Sequence, residues 1–171
     1  MSRTSFWSIL SFVLAFILTI WLSLKSLGIQ FGTTLEIWQQ DRAYKNTTGV
    51  IFLSLILSQW ILSISRTIYK TNGEAWQRIK EVHLIVGMLT LIMAFLHAWN
   101  LGFGMLFFLM GLFILNTLLS SVYTLKSEGV LLKNINLNFL LPGHIIFSVA
   151  ITLLSLMHWW LVMTFNWMIL S

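Results

Sequence analysis

The sequence predicts an all-α integral membrane bundle of about five transmembrane helices, forming one domain over residues 1–171. Three observations carry that expectation. The chain is 58% hydrophobic and 9% charged, with a mean hydropathy of +0.88, far from the balance of soluble domains. Its apolar residues fall into five runs, at 6–24, 49–65, 82–99, 105–123 and 142–167. A helix needs about 20 such residues to cross a bilayer. The segments between the runs are too polar to build a soluble core beside them. The net charge of +5 and the pI near 9.9 do not imply a nucleic-acid partner. In a membrane protein that excess is Lys and Arg in the cytoplasmic loops, facing anionic head groups. Cysteine is absent, which excludes disulfides, thiolate metal sites and cysteine-ligated iron–sulfur clusters.

The first run follows a short polar start carrying Arg3. It is longer than the apolar region of a signal peptide and no small-x-small cleavage site precedes Lys25, so it is expected to stay as an anchor. Residues 26–48 are the most polar stretch, and TLEIWQQDRAYKN within it suits a short surface helix. Asn46-Thr47-Thr48 fits a glycosylation sequon, but a capping role in front of the second run is the favoured expectation. The second run ends at Arg66, Tyr69 and Lys70 and contains Gln59, whose amide needs a partner inside the bundle. Asn72-Gly73 marks a turn, and 74–81 reads as a polar helical lead-in to the third run.

A tight reversal, Asn100-Leu101-Gly102-Phe103-Gly104, separates the third and fourth runs. A longer loop over 124–140, with Lys126, Glu128 and Lys133, leads to Pro142. That proline opens the fifth run, where a missing backbone donor costs nothing. Trp7, Trp76, Trp99, Trp160 and Trp167 sit near run ends, as expected of rings at the membrane–water interface. Five crossings put the termini on opposite sides. Arg3, Arg66, Lys70, Arg78, Lys80, Lys126 and Lys133 fall on the amino-terminal side, against Lys25, Arg42 and Lys45 on the other. This bias predicts a cytoplasmic amino terminus.

The chain has four histidines, and they form two matched pairs. His83 and His97 bound HLIVGMLTLIMAFLH, and His144 and His158 bound HIIFSVAITLLSLMH, in the third and fifth runs. Fourteen helical steps return the second imidazole to within about 40° of the first and about 21 Å along the axis. One helix therefore cannot offer both histidines to one ion. The third and fifth spans are separated by one helix and so run parallel, which sets His83 level with His144 and His97 level with His158. Ionisable side chains at such depth are rare and usually functional.

Zinc takes four ligands, or three and a water, and would be under-coordinated by two histidines with no Cys, Asp or Glu at the same depth. Copper supported by Met93 and Met157 is conceivable, although methionine in an apolar helix is more often filler. Haem iron draws four nitrogens from the porphyrin and needs two axial donors, so two histidines per level suffice. The expectation is two b haems, with His83 and His144 on the inner iron and His97 and His158 on the outer. Between the histidines, Gly87, Thr90 and Ala94 on one helix and Ser148, Ile151 and Ser155 on the other form mostly small stripes. Taken alone such stripes favour close packing of helices; framed by histidines at both ends, they favour clearance for a macrocycle edge. Arg78 and Lys80, about one turn before His83, are placed to neutralise haem propionates or to serve as ordinary flanking charges. Gln59 and Asn116 would either line a haem edge or quinone pocket or, the favoured choice, tie the bundle together.

RIKEVHLIVGMLTLIMAFLHAW and GHIIFSVAITLLSLMHWW together resemble the ferric-reductase-like transmembrane superfamily, over roughly 48–167. That family includes NADPH oxidases and the haem-binding subunit of bacterial methionine sulfoxide reductase systems, and holds two haems between its third and fifth spans. The resemblance implies that His83, His97, His144 and His158 are each an axial ligand. Family members commonly have a sixth span, and many carry a flavin and NADPH domain; neither lies in this sequence. The electron donor is then expected to be a separate flavoprotein or a quinol, the acceptor another protein, and the location a bacterial inner membrane. Similar spacings occur in the cytochrome b subunit of quinol-oxidising complexes, there on the second and fourth helices.

Transmembrane electron transfer through two stacked bis-histidine haems, as a subunit of an oxidoreductase with no catalytic side chain of its own, is the function expected. The alternatives are a quinone-linked cytochrome b anchor of a larger respiratory or photosynthetic complex, and a haem-free transporter or assembly protein using its histidines for protons or copper.

Overall fold

A computed structural model of the chain describes residues 3–29, 34–69, 72–98, 104–127, 129 and 138–170. The reversal expected at 100–103, with Lys70, Trp99, Glu128 and Lys133, lies outside them, as do the side chains of Arg3 and Trp167. The described residues form six helices and no strand: α1 (Arg3–Ser26), α2 (Thr34–Trp38), α3 (Arg42–Ile68), α4 (Gly73–His97), α5 (Met105–Ser127) and α6 (Leu140–Leu170). All but α2 are long and apolar enough to cross a membrane. Helices suit that solvent because each satisfies its backbone hydrogen bonds internally. Phe16, Ile61, Phe107, Phe108 and Leu153 stand exposed on the outer faces, where lipid covers them. Pro142 falls in the first turn of α6, where its missing N–H has no intrahelical acceptor to lose.

The five long helices close into a ring in which α4 packs on α3 and α1, α5 on α1 and α6, and α6 on α3. The α3–α6 seam is the thinnest of these, and α4 and α6 make no extensive contact with each other. They face one another across the interior. The apolar core is concentrated where α1, α4 and α5 meet: Ala15, Leu18 and Leu22 pack with Leu91, Ala94, Phe113 and Ile114. Ala15 and Ala94 are fully buried. Small side chains at such positions let neighbouring backbones approach closely.

Several boundaries shift by a few residues, α5 running on to Ser127 through the start of the loop expected over 124–140, and two differ for a clear reason. The second crossing helix starts at Arg42 rather than at 49, because the Asp41 carboxylate accepts from the Tyr44 N–H at 2.7 Å and caps it there. Asn46, Thr47 and Thr48 therefore lie inside α3 and cap nothing. The surface helix is likewise shorter than TLEIWQQDRAYKN, since α2 is Thr34–Trp38 and the remainder turns into α3. The lead-in to the third span is continuous with it as expected: Asn72 caps α4 by accepting from the Ala75 N–H at 3.1 Å.

Beyond α2, Gln39 is fully buried and holds the far end of α4. Its Nε2 donates to the carbonyls of Phe95 at 2.8 Å, Leu96 at 3.0 Å and Ala98 at 3.1 Å. The last carbonyls of a helix have no intrahelical donor, and in a membrane an unmet one is costly.

Candidate functional site

His83 on α4 and His144 on α6 meet across the interior of the ring. Their ring centroids are 6.5 Å apart with planes at 84°. Both Nδ1 atoms are buried and have no hydrogen-bond partner among the described residues. The pair stands between two cavities, of about 300 and about 330 Å³, and both histidines line both.

The first cavity opens toward the amino-terminal side and is cationic. Arg66 and Lys80 line it together with Trp76, Tyr123 and Thr124. Trp76 is flanked by both charges, with the Arg66 guanidinium 5.5 Å and the Lys80 ammonium 5.6 Å from its ring centroid. A cation over an indole face is attracted by the ring quadrupole. Among the described residues no carboxylate lines this cavity. Arg78, singled out in the sequence beside Lys80, is exposed and lines neither cavity. Arg66 stands in the place expected of it. Nothing in a single sequence separates Arg66 from the other flanking charges, since its approach depends on how α3 and α4 pack.

The second cavity runs deeper into the bundle. Gly87 and Thr90 line it from α4, and Ser148 and Ile151 from α6, as their helical spacing from His83 and His144 implies. Its wall also carries polar groups that tie the ring together. Gln59 donates to the His83 carbonyl at 3.3 Å and Asn116 to the Ser148 hydroxyl at 3.0 Å. Trp60 donates to the Thr152 hydroxyl at 2.8 Å, which bridges α3 and α6. Gln59 and Asn116 thus serve as bundle hydrogen bonds and as cavity wall at once. Ala94 and Ser155 do not line either cavity. Ala94 is spent on close packing against α1, while Ser155 is buried with its hydroxyl oxygen unpartnered among the described residues.

The other pair sits at the far end of the same helices. His97 and His158 lie within electrostatic range of one another. His97 is held by α3: its Nδ1 is 3.1 Å from the Thr48 hydroxyl, and its ring lies 6.1 Å from that of Phe52 at 30°. Neither cavity described above reaches this pair. Met157, considered as a copper ligand, is 45% exposed on the outer face of α6. Among the described residues no three His, Cys, Asp or Glu side chains cluster as a metal site.

The residues at the first pair fit a haem. Two imidazoles on opposite sides of one metal, with metal–nitrogen bonds of about 2 Å, have centroids about 6 Å apart. The His83–His144 spacing matches that span, space lies on both sides of the rings, and the cations at the open end would meet carboxylates. Compared with protein-family models, curated proteins and solved structures, the chain finds no match.

Proposed function

We propose that this chain is a membrane cytochrome subunit that carries electrons across the bilayer through two b haems, each held between one histidine of α4 and one of α6. The observation behind this is the pairing of His83 with His144 at a metal-bridging distance of 6.5 Å, between two cavities, on helices that otherwise scarcely touch. When bound, haem supplies a one-electron iron couple, and the protein sets its ligation, depth and potential.

The side chains divide the remaining work. His83 and His144 bind at the amino-terminal level, and His97 with His158 at the other, about 21 Å further along the helix axis. Gly87 leaves room beside the first ring, and Thr90 and Ser148 keep the wall thin while donating their own hydroxyls to helix carbonyls. Arg66 and Lys80 receive the negative groups at the open end. The charge bias of the loops favours a cytoplasmic position for that end, and the resemblance to the ferric-reductase-like superfamily favours a bacterial inner membrane. A flavoprotein or a membrane quinol acts there or in the bilayer as donor, and a separate protein as acceptor.

A reduced-minus-oxidised optical spectrum of the purified chain, with a count of haem per chain, tests the proposal. A sharp reduced b-haem band at two haems per chain is expected. A colourless protein from cells well supplied with haem would overturn it.

A further inference from the structure

Thr48 is buried within α3, and its hydroxyl has carbonyl acceptors on its own helix, Tyr44 at 2.8 Å and Lys45 at 3.2 Å. Threonine in a helix commonly donates back in this way. The same oxygen lies 3.1 Å from His97 Nδ1. With the proton turned to the helix the oxygen accepts and Nδ1 donates, and the Lys45 backbone is a second hydrogen-bond partner of the same ring. A neutral imidazole carries one N–H, so Nε2 is left with a free lone pair.

The rest of the surroundings fix the ring in that pose. A methyl group at Gly49 would stand 3.1 Å from His97 Cε1, closer than side chains normally come, so glycine lets the ring lie against α3. Phe52, one turn on, covers the ring from the same helix. Gln39 holds the carbonyls on either side of His97 and stops this end of α4 from fraying. His83 and His144 have nothing equivalent at Nδ1.

We infer that Thr48, seated beside Gly49 and Phe52, is a positioning residue that holds His97 as the Nδ1–H tautomer and keeps its Nε2 bare for metal binding. The consequence for haem rests on the function proposed above; the tautomer does not. Outer partners of this kind raise the basicity of a ligating imidazole and fix its orientation. Were haem held at both levels, the iron at the His97 level would face the more basic imidazole on the α4 side.

The test uses the full chain, haem-free and in lipid nanodiscs, labelled with nitrogen-15 histidine. Side-chain nitrogen shifts report which ring nitrogen carries the proton, and the His97 signals are assigned by their loss in His97→Gln. The expected result is a protonated Nδ1 and bare Nε2 at His97. In Thr48→Val that pattern moves toward the Nε2–H form that free histidine prefers, and Thr48→Ser restores it. On haem-loaded protein, Thr48→Val should raise the midpoint potential of one haem and leave the other in place. Nε2–H at His97 in the unaltered chain, or a pattern indifferent to Thr48→Val, would overturn the inference. Colourless protein that still shows the Nδ1–H tautomer would sink the haem proposal and leave the positioning role standing.

Discussion

The imidazoles of His83 and His144 stand nearly perpendicular, at 84°, with centroids 6.5 Å apart and no hydrogen-bond partner for either Nδ1 among the described residues. A direct contact between two buried polar rings offers little stabilisation, because each Nδ1 has left water without a partner among the described residues. Under the proposed function the two imidazoles are instead donors to one iron held between them.

Substitution at either member should therefore give the same result. His83→Ala and His144→Ala are each expected to remove half of the bound haem, and the double variant no more than either alone, because both act on one iron. Haem counted by pyridine haemochrome against protein concentration checks this. Additive loss would show that the two do not share a site.

Gly87 separates clearance from helix packing. A Cβ there would meet only the Gln59 amide at 3.6 Å, an ordinary contact, so Gly87→Ala should bind normally. Gly87→Leu fills the cavity beside His83 and should cost most of one haem while helical circular dichroism is unchanged. Full binding by the leucine variant would mean that the cavity is not where the macrocycle lies.

Arg66 and Lys80 line the cavity at the open end and Arg78 does not. Neutralising Arg66 or Lys80 to Gln should lower the midpoint potential of one haem, since nearby positive charge favours the reduced iron. Arg78→Gln should leave both potentials within error, its charge being exposed and screened. A potentiometric titration of the three variants decides between them.

Gln39 is fully buried with three carbonyl acceptors at the end of α4. Gln39→Leu leaves those carbonyls unmet and should destabilise the chain by about 1–3 kcal/mol. The loss should appear as a lower midpoint for thermal unfolding in detergent. Because the far end of α4 carries His97, the haem bound at that level should also become easier to extract.

The five crossings were readable from runs of apolar residues, and the levels of the histidines on α4 and α6 from helical spacing together with the parallel run of those two spans. A run of apolar residues declares a span, and fourteen steps of a helix place His97 above His83 wherever the helix sits. The start of α3 was not readable by hydropathy, since DRAYKN is polar although helical; only the Asp41 cap betrays it. Contacts made between helices were also beyond a single sequence. The Thr48–His97 bond joins positions 49 residues apart and Gln39 reaches 59 residues ahead to Ala98, with no local pattern to announce either. Arg66 and Arg78 look alike on paper, and only the side of the helix turned inward distinguishes them. Ala94 shows the limit of the small-residue stripe: its spacing from His83 was right, but it lies fully buried in the apolar core that α4 shares with α1 and α5.

The ring formed by the five long helices leaves α4 and α6 opposed but scarcely touching. Under the proposed function, the occupant between them completes the interior, so loading and folding form one linked equilibrium in which ligand excess over its dissociation constant adds directly to stability. Cells short of porphyrin would then hold less of this protein, not merely less active protein, because chains lacking their fill would be the ones that membrane proteases reach first.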